Sequence, residues 1–309
     1  MYTILGAGGS TANALTRELS NSKESIRLVS RKPIQTTASN IDWEKADLLN
    51  YNEVLDATKG SKVIYLTAGL IYDKKIWKEQ WPVIMQNFIN AGKQTGARLI
   101  FFDNVYSYGL VNGPMTETTP YNPCSVKGEI RAKIATQLMD EAKAGNVTAS
   151  IARAADFYGT ANLMGFLDLM ILDKYAKKQK AQWIGDVHKL HNFSYIPDMG
   201  KGLYLLGQKP ESDNQIWHMP TAAPFTGTEF IEMAANTYGV DPKYMSIKKF
   251  MMQIFGLFNK TVGELVEMYY QYDHDYIFNS DKFESAFNFK PTSYEDGIKL
   301  MSQTLYKKV

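Results

Sequence analysis

Short apolar runs separated by stretches of helical length constrain this chain more than any other feature. Runs rich in β-branched and aromatic residues occur at 2–5 (YTIL), 26–30 (IRLVS), 63–67 (VIYLT), 98–103 (RLIFFD) and 148–153 (TASIAR). Between them apolar residues recur at helical spacing, as in Ala12, Leu15 and Leu19, or in Val83, Met85, Phe88 and Ile89 ahead of the glycine-containing stop AGKQTGA. Strands joined by helix-length crossovers pair in parallel and carry helices on both faces. The pattern predicts an α/β fold with a doubly wound parallel sheet. After about residue 160 it loosens, and Met-rich, aromatic helical segments take over. The expected organisation is a first domain over 1–160, rejoined by a return segment near 190–205, and a smaller, mostly helical substrate lobe over 161–309.

Bulk properties narrow the partners. With 309 residues, 45% of them hydrophobic, the chain can bury a sizeable core unaided. Its 34 basic and 32 acidic residues form no long run of one sign, so neither nucleic acid nor a membrane is expected as a partner. The most apolar stretches, MGFLDLMIL (164–172) and FMMQIFGLF (250–258), fall short of the ~20 residues a membrane span needs and read as buried or partly exposed helices. The single cysteine, Cys124, excludes an internal disulfide framework and reads as a turn residue, since no neighbouring histidine pairs with it. The first apolar run begins at Tyr2, which leaves no room for a secretory leader, and a cytoplasmic location is expected.

The stretch TILGAGGSTANAL (3–15) carries the first chemistry. A strand runs into Gly6, Gly9 and Ala12 at G-x-x-G-x-x-A spacing and then into a helix. Glycines permit the tight turn, and the helix N-terminus offers unpaired N–H groups and partial positive charge to a pyrophosphate. Ser10 and Thr11 add hydroxyl donors. At the end of the second strand, LVSRKP, an acidic residue would bind the adenosine ribose. Arg31 and Lys32 stand there instead. A guanidinium holds a 2′-phosphate bidentately, so NADP is expected as cofactor in preference to NAD. Asp47, after the third strand, is a candidate for the adenine amino group and equally for a helix cap.

The glycine turn, VIYLTAG (63–69), LIFFDNVYSYG (99–109), TETTPYNP (116–123), IARAADFYG (151–159) and HNFSYIPDMG (191–200) follow the order and approximate spacing of the extended short-chain dehydrogenases/reductases. The chain resembles that family, which includes the NAD(P)-dependent sugar-nucleotide epimerases and dehydratases, over most of its length. The resemblance implies a Rossmann-type cofactor domain, with Thr67 and Ala68 of VIYLTAG beside the dinucleotide. It also implies a homodimer built through helices flanking the sheet. For catalysis it implies a Ser or Thr after the fifth strand and a Tyr-x-x-x-Lys helix, the tyrosine acting as general acid/base. Here Asp103 and Asn104 replace the serines, and Lys127 and Arg131 stand at the tyrosine and lysine positions.

Lys127 and Arg131 lie one helical turn apart on one face. Arg131 stays protonated and can orient ribose hydroxyls. Lys127 and Tyr106 are the candidate proton carriers, with Asp103 a carboxylate able to hold the lysine charged. Two solvated surface charges remain the alternative for the pair. Tyr108 reads as packing and Tyr121 as a loop residue. His188 and His191 are three apart, but no acid or cysteine cluster completes a metal site, and none is expected. The leading expectation is an NADP-dependent oxidoreductase or epimerase/dehydratase-like enzyme acting on a small carbonyl or sugar-like substrate. The alternative is a non-catalytic NADP(H)-binding sensor or regulatory protein.

Overall fold

The computed structural model describes residues 1–22, 24–160 and 165–307. The chain divides into two compact units. The first comprises Met1–Ser107, Lys127–Ala154 and Met199–Trp217; the second gathers Tyr108–Val126, Ala155–Asp198 and His218–Val309.

In the first unit strands and helices alternate: β1 (Tyr2–Leu5), α1 (Ser10–Ser20), β2 (Ile26–Ser30), β3 (Ile41–Lys45), α2 (Tyr51–Thr58), β4 (Val63–Leu66), α3 (Lys74–Thr95), β5 (Arg98–Asn104), α4 (Val126–Lys143) and β6 (Ala149–Ala154). The sheet order is β3-β2-β1-β4-β5-β6, with the short strand Ile216–His218 at the edge beside β6. Every registered pairing from β3 through to β6 is parallel. Strands covered on both faces need apolar residues at consecutive positions, and β1, β4 and β6 are buried along their whole lengths. This is the doubly wound, Rossmann-type sheet that the sequence pattern predicts.

Helix boundaries follow local chemistry. α1 buries Ala12, Ala14, Leu15 and Leu19 on one face, and each fully buried leucine contributes about 2 kcal/mol relative to exposure. Asn50 caps α2, accepting from the N–H groups of Asn52 and Glu53, and Asp73 caps α3 in the same manner through Lys75 and Ile76. Gly96 ends α3 in the left-handed region at φ 69°, so of the glycines in AGKQTGA it is the second that provides the stop. The chain order reverses between β1 and β4, whose registers align Leu5 with Leu66. The loops leaving these two strands therefore open at the same sheet edge, where doubly wound sheets bind ligands.

The second unit has an aromatic core in which Tyr158, Trp183, Phe193, Tyr195, Phe225, Phe230, Tyr238 and Tyr294 are buried together. Its strands are short pairs, Phe157–Tyr158 with Ser194–Tyr195, Leu190–His191 with Phe225–Thr226, and Ala181–Ile184 with Tyr244–Ile247. Thr226 and Glu229 form a capping box at the helix Gly227–Tyr238. The helix expected over MGFLDLMIL begins at Met164, which lies outside the described residues; the rest forms a π-helical turn over Asp168–Leu172 that continues as the helix Asp173–Ala176. No described helix is long and apolar enough to cross a membrane.

Candidate active site

The glycine turn after β1 is shaped by close approach on one side and space on the other. Gly6 has φ 86°, and a Cβ there would fall 2.6 Å from the backbone nitrogen of Ala68, so β1 and β4 exit against each other only without a side chain. Gly8 has φ 95° and lies under the side chain of Ile34. Gly9 differs: its φ is −76°, and a Cβ would meet nothing within 4 Å. It forms the N-cap of α1 without a side-chain cap, with Ser10 and the buried Thr11 opening the helix and Ala12 packed beneath. The open space above Gly9 and the uncapped helix end form a cradle that suits a pyrophosphate.

The remaining cofactor candidates surround this turn. Thr67 donates its N–H to the carbonyl of Leu5 at 2.9 Å, tying the VIYLTAG loop to the end of β1 and placing Ala68 behind Gly6. Arg31 and Lys32 are exposed directly after β2. The Ser30 hydroxyl donates to the Lys32 carbonyl at 2.6 Å and fixes the turn that presents them. Asp47 is half-buried two residues beyond β3. Its Oδ1 accepts from the Leu49 N–H at 3.0 Å, while its own N–H donates to Glu53. It therefore shapes the approach to α2, whose cap is Asn50.

The helix α4 places its cations in an aromatic cage. Lys127 is fully buried, with Nζ 4.5 Å from the ring centroid of Tyr72. Arg131 lies with its guanidinium 4.3 Å from the Trp81 ring and about as near to Trp77 and Phe101, at 5.3 and 5.2 Å. Beneath it the buried Asp103 carboxylate at the end of β5 serves two cations. Arg153 of β6 donates to Oδ2 from Nε and Nη2 at 3.2 and 2.9 Å, and Arg131 Nε stands 3.1 Å from Oδ1. That last contact is close enough for ion pairing but lacks hydrogen-bond alignment, so Nε and Nη1 of Arg131 donate no hydrogen bond. Burial pushes the Arg131 guanidinium below its usual range, and the Asp103 charge opposes the shift.

Tyr106 stands beside this cage. Its N–H donates to Asn104 Oδ1 at 3.1 Å, its ring stacks on Trp77 at 6.3 Å, and its hydroxyl lies 3.4 Å from that of Tyr72. Lys127, Tyr72 and Tyr106 thus form a continuous line from a buried ammonium to a half-buried phenol at the C-terminal end of β5. Tyr72, Trp77 and Trp81 escaped the sequence reading. The available signal was the i, i+4 spacing of the two tryptophans in IYDKKIWKEQWP.

The other candidates fall in the second unit. Tyr108 is buried, with its hydroxyl 2.7 Å from His218 Nε2, while His218 Nδ1 faces the Asn279 carbonyl at 2.7 Å. Tyr121 packs its ring 5.9 Å from Tyr108, and Cys124 is exposed. His188 is exposed and His191 buried between the carbonyls of Lys189 and Gln271. Among the described residues no group of three His, Cys, Asp or Glu side chains is placed to hold a metal ion.

The sequence model of the NAD dependent epimerase/dehydratase family matches residues 2–219. No curated protein matches the sequence. Among solved structures, the dTDP-glucose 4,6-dehydratase from Bacillus anthracis in complex with NAD superposes with a TM-score of 0.81 at 14% identity, over 98% of this chain and 96% of that one. The UDP-glucose 4-epimerase of Thermus thermophilus, also with NAD, gives 0.79 at 15% identity over 100% of both chains. A dTDP-glucose 4,6-dehydratase from Streptomyces venezuelae gives 0.79 at 14% identity, over 98% and 96%. At these identities the likeness is one of fold.

Proposed function

The chain belongs to the NAD dependent epimerase/dehydratase family, and from that premise we propose that it is an NADP(H)-dependent oxidoreductase or epimerase/dehydratase-like enzyme acting on a small carbonyl or sugar-like substrate. The observation that carries the reading is the line Lys127–Tyr72–Tyr106 at the end of β5, which supplies a phenol and a buried cation where the family's tyrosine and lysine are missing.

The cradle above Gly9 and the end of α1 fit a dinucleotide pyrophosphate. Arg31 and Lys32 present two cations where a 2′-phosphate would lie, which favours NADP over NAD. Thr67 and Ala68 form the floor of the crevice. When bound, the nicotinamide supplies hydride exchange with the substrate carbon. Tyr106 donates a proton to the oxygen that develops negative charge on reduction, and takes it back in the reverse direction. Tyr72 hydrogen-bonds the resulting phenolate, and the Lys127 ammonium beside Tyr72 stabilises that negative charge. Arg131, with Asp103, holds α4 to β5 and keeps Lys127 in place, in a positioning role that differs from the ribose contact its spacing suggests.

The test is consumption of NADPH against a panel of aldehydes and ketones, together with conversion of nucleotide sugars to an epimer or a dehydrated product, in which the hydride returns to the sugar and no net NADPH is used; nucleotide sugars are chosen because neighbouring folds are named for such substrates. Tyr106→Phe and Lys127→Met should each lower turnover by roughly 10²–10⁴-fold, the range typical of a lost proton carrier. Unchanged turnover in both variants removes the mechanism. The second reading, a non-catalytic NADP(H)-binding sensor, is favoured by the commitment of Arg131 to Asp103 and the aromatic cage. It requires NADPH binding with neither consumption nor any epimerised or dehydrated product anywhere in the panel.

A further inference from the structure

The helix Lys249–Gly256 in the second unit is amphipathic with its apolar stripe facing outward. Met252 is buried against Ile184 and Tyr269. On the opposite side Phe250, Ile254 and Leu257, spaced i, i+4 and i+7, are 60%, 54% and 80% exposed, and the adjoining Phe258 is 87% exposed. A second short helix, Lys260–Leu265, folds back behind this one. Gly256 and Gly263 make the close approach, since a Cβ on Gly256 would stand 2.8 Å from the Gly263 Cα. Leu257 and Phe258 therefore lie at the turn between the two packed helices, with both side chains largely in solvent.

Charge distinguishes the occupants of such a face. Between Asp241, which pairs with Lys243 at 2.9 Å, and Glu264 the chain carries no acidic residue, and Lys248 and Lys249 fall in that interval. Lys248 and Lys249 are exposed at the N-terminal end of the helix, where the backbone already contributes partial positive charge and no side chain caps it. A second copy meeting this face across a two-fold axis would bring Lys248 and Lys249 toward their own counterparts, with no acidic residue from Pro242 to Gly263 to face them. An anionic, deformable surface satisfies both features, accepting the apolar side chains and neutralising the lysines.

We propose that the helix pair at 248–265 is an interfacial anchor for membranes rich in anionic phospholipid, inserting Phe250, Ile254, Leu257 and Phe258 at the headgroup boundary with Lys248 and Lys249 on the lipid phosphates. The anchor lies on the surface and spans nothing. It works independently of the chemistry proposed for the first unit.

Co-sedimentation of the full chain with vesicles tests it. The protein should pellet with phosphatidylcholine vesicles containing phosphatidylglycerol and stay in solution with phosphatidylcholine alone, and raised salt should release it. Lys248→Gln with Lys249→Gln should weaken binding roughly 25-fold, about fivefold per lysine. Leu257→Glu with Phe258→Glu should abolish it while leaving far-ultraviolet circular dichroism unchanged, because both side chains are largely in solvent. Equal pelleting on the two vesicle types, or none on either, overturns the proposal. So does a dimer in sedimentation velocity that the Leu257→Glu, Phe258→Glu variant converts to monomer without any vesicle binding, which would make a second copy the occupant.

Discussion

Replacing Asp103 by asparagine keeps the side-chain shape and removes one negative charge from between two buried guanidinium groups. The carboxylate is 1% exposed, Arg153 is fully buried and Arg131 is 5% exposed, so water cannot take over the screening. At contact distances of 2.9 and 3.1 Å each attraction has a gross size of about 5 kcal/mol at an effective dielectric near 20. Desolvation has already offset much of that, and the observable cost is the uncompensated charge left behind, typically 3–5 kcal/mol when one partner of a buried pair is removed. The amide oxygen of the Asp103→Asn variant would still accept from Arg153, so the lower half of the range, about 3–4 kcal/mol, is expected. At roughly 2–4 °C per kcal/mol for a folding unit of this size, the melting temperature should fall by about 6–16 °C. Thermal unfolding followed by tryptophan fluorescence reads it, with Trp77 and Trp81 at the site as reporters. Adding Arg131→Met to Asp103→Asn should recover part of the loss, because it deletes a charge that no longer has a counter-ion. A fall smaller than about 1 kcal/mol, or strictly additive losses in the double variant, refutes the view that Asp103 is the shared counter-ion.

The glycine turn separates folding from binding. Gly9→Val should leave the melting temperature within about 1–2 °C and abolish dinucleotide binding, whereas Gly6→Ala should destabilise by at least ~1–3 kcal/mol through its positive φ and its contact with Ala68; calorimetry and nucleotide titration measure the pair. Arg31→Ala should weaken NADPH by roughly 10–100-fold, the worth of a lost charge-assisted hydrogen bond, and leave NADH unchanged in the same titration. Asp156 tests pH dependence. Burial raises its carboxyl above the usual range, with the Tyr272 hydroxyl, at 2.7 Å, opposing the shift. A raised folded value means that the folded state holds this proton more tightly than the unfolded one, so stability is lost as pH rises through that value and regained as pH falls below it. Asp156→Asn should therefore melt higher than wild type at neutral pH, with the two curves converging in acid.

Local signals were legible where local chemistry decides the outcome. β1 and β2 begin and end where their apolar runs do, and Gly6, Gly9 and Ala12 occupy the turn that their spacing implies. The end of α3 was legible as a glycine stop, although only the left-handed backbone at Gly96 distinguishes it from Gly92, four residues earlier within the helix. The second unit was less legible. It draws on three separate stretches of chain and pairs strands of two to four residues, too short for a period of two to stand out. The outward apolar face of Lys249–Gly256 was hidden for a related reason: periodicity shows that a stripe exists, and not whether anything covers it.

The cations of α4 show the same limit at the candidate site. A lysine and an arginine one turn apart fit a solvated face as well as a buried one, because lysine and arginine are rarely buried without a partner and the partners were remote in sequence. Asp103, Arg153 and the rings of Tyr72, Trp77 and Trp81 come from β5, β6 and the region from the end of β4 through α3, and only the parallel pairing of β4, β5 and β6 brings them under α4. Once they are assembled, the functional question changes form. The resemblance implies a phenol and a cation on one helix; here α4 carries the cation Lys127, and the phenol of Tyr106 follows the end of β5. Proton transfer depends on which groups adjoin the substrate oxygen and how their charge is stabilised, and not on which element carries them. Absence of the Tyr-x-x-x-Lys pattern therefore does not by itself decide against the proposed chemistry, and the hydroxyl-to-hydroxyl contact between Tyr72 and Tyr106 is the feature on which the proposal turns.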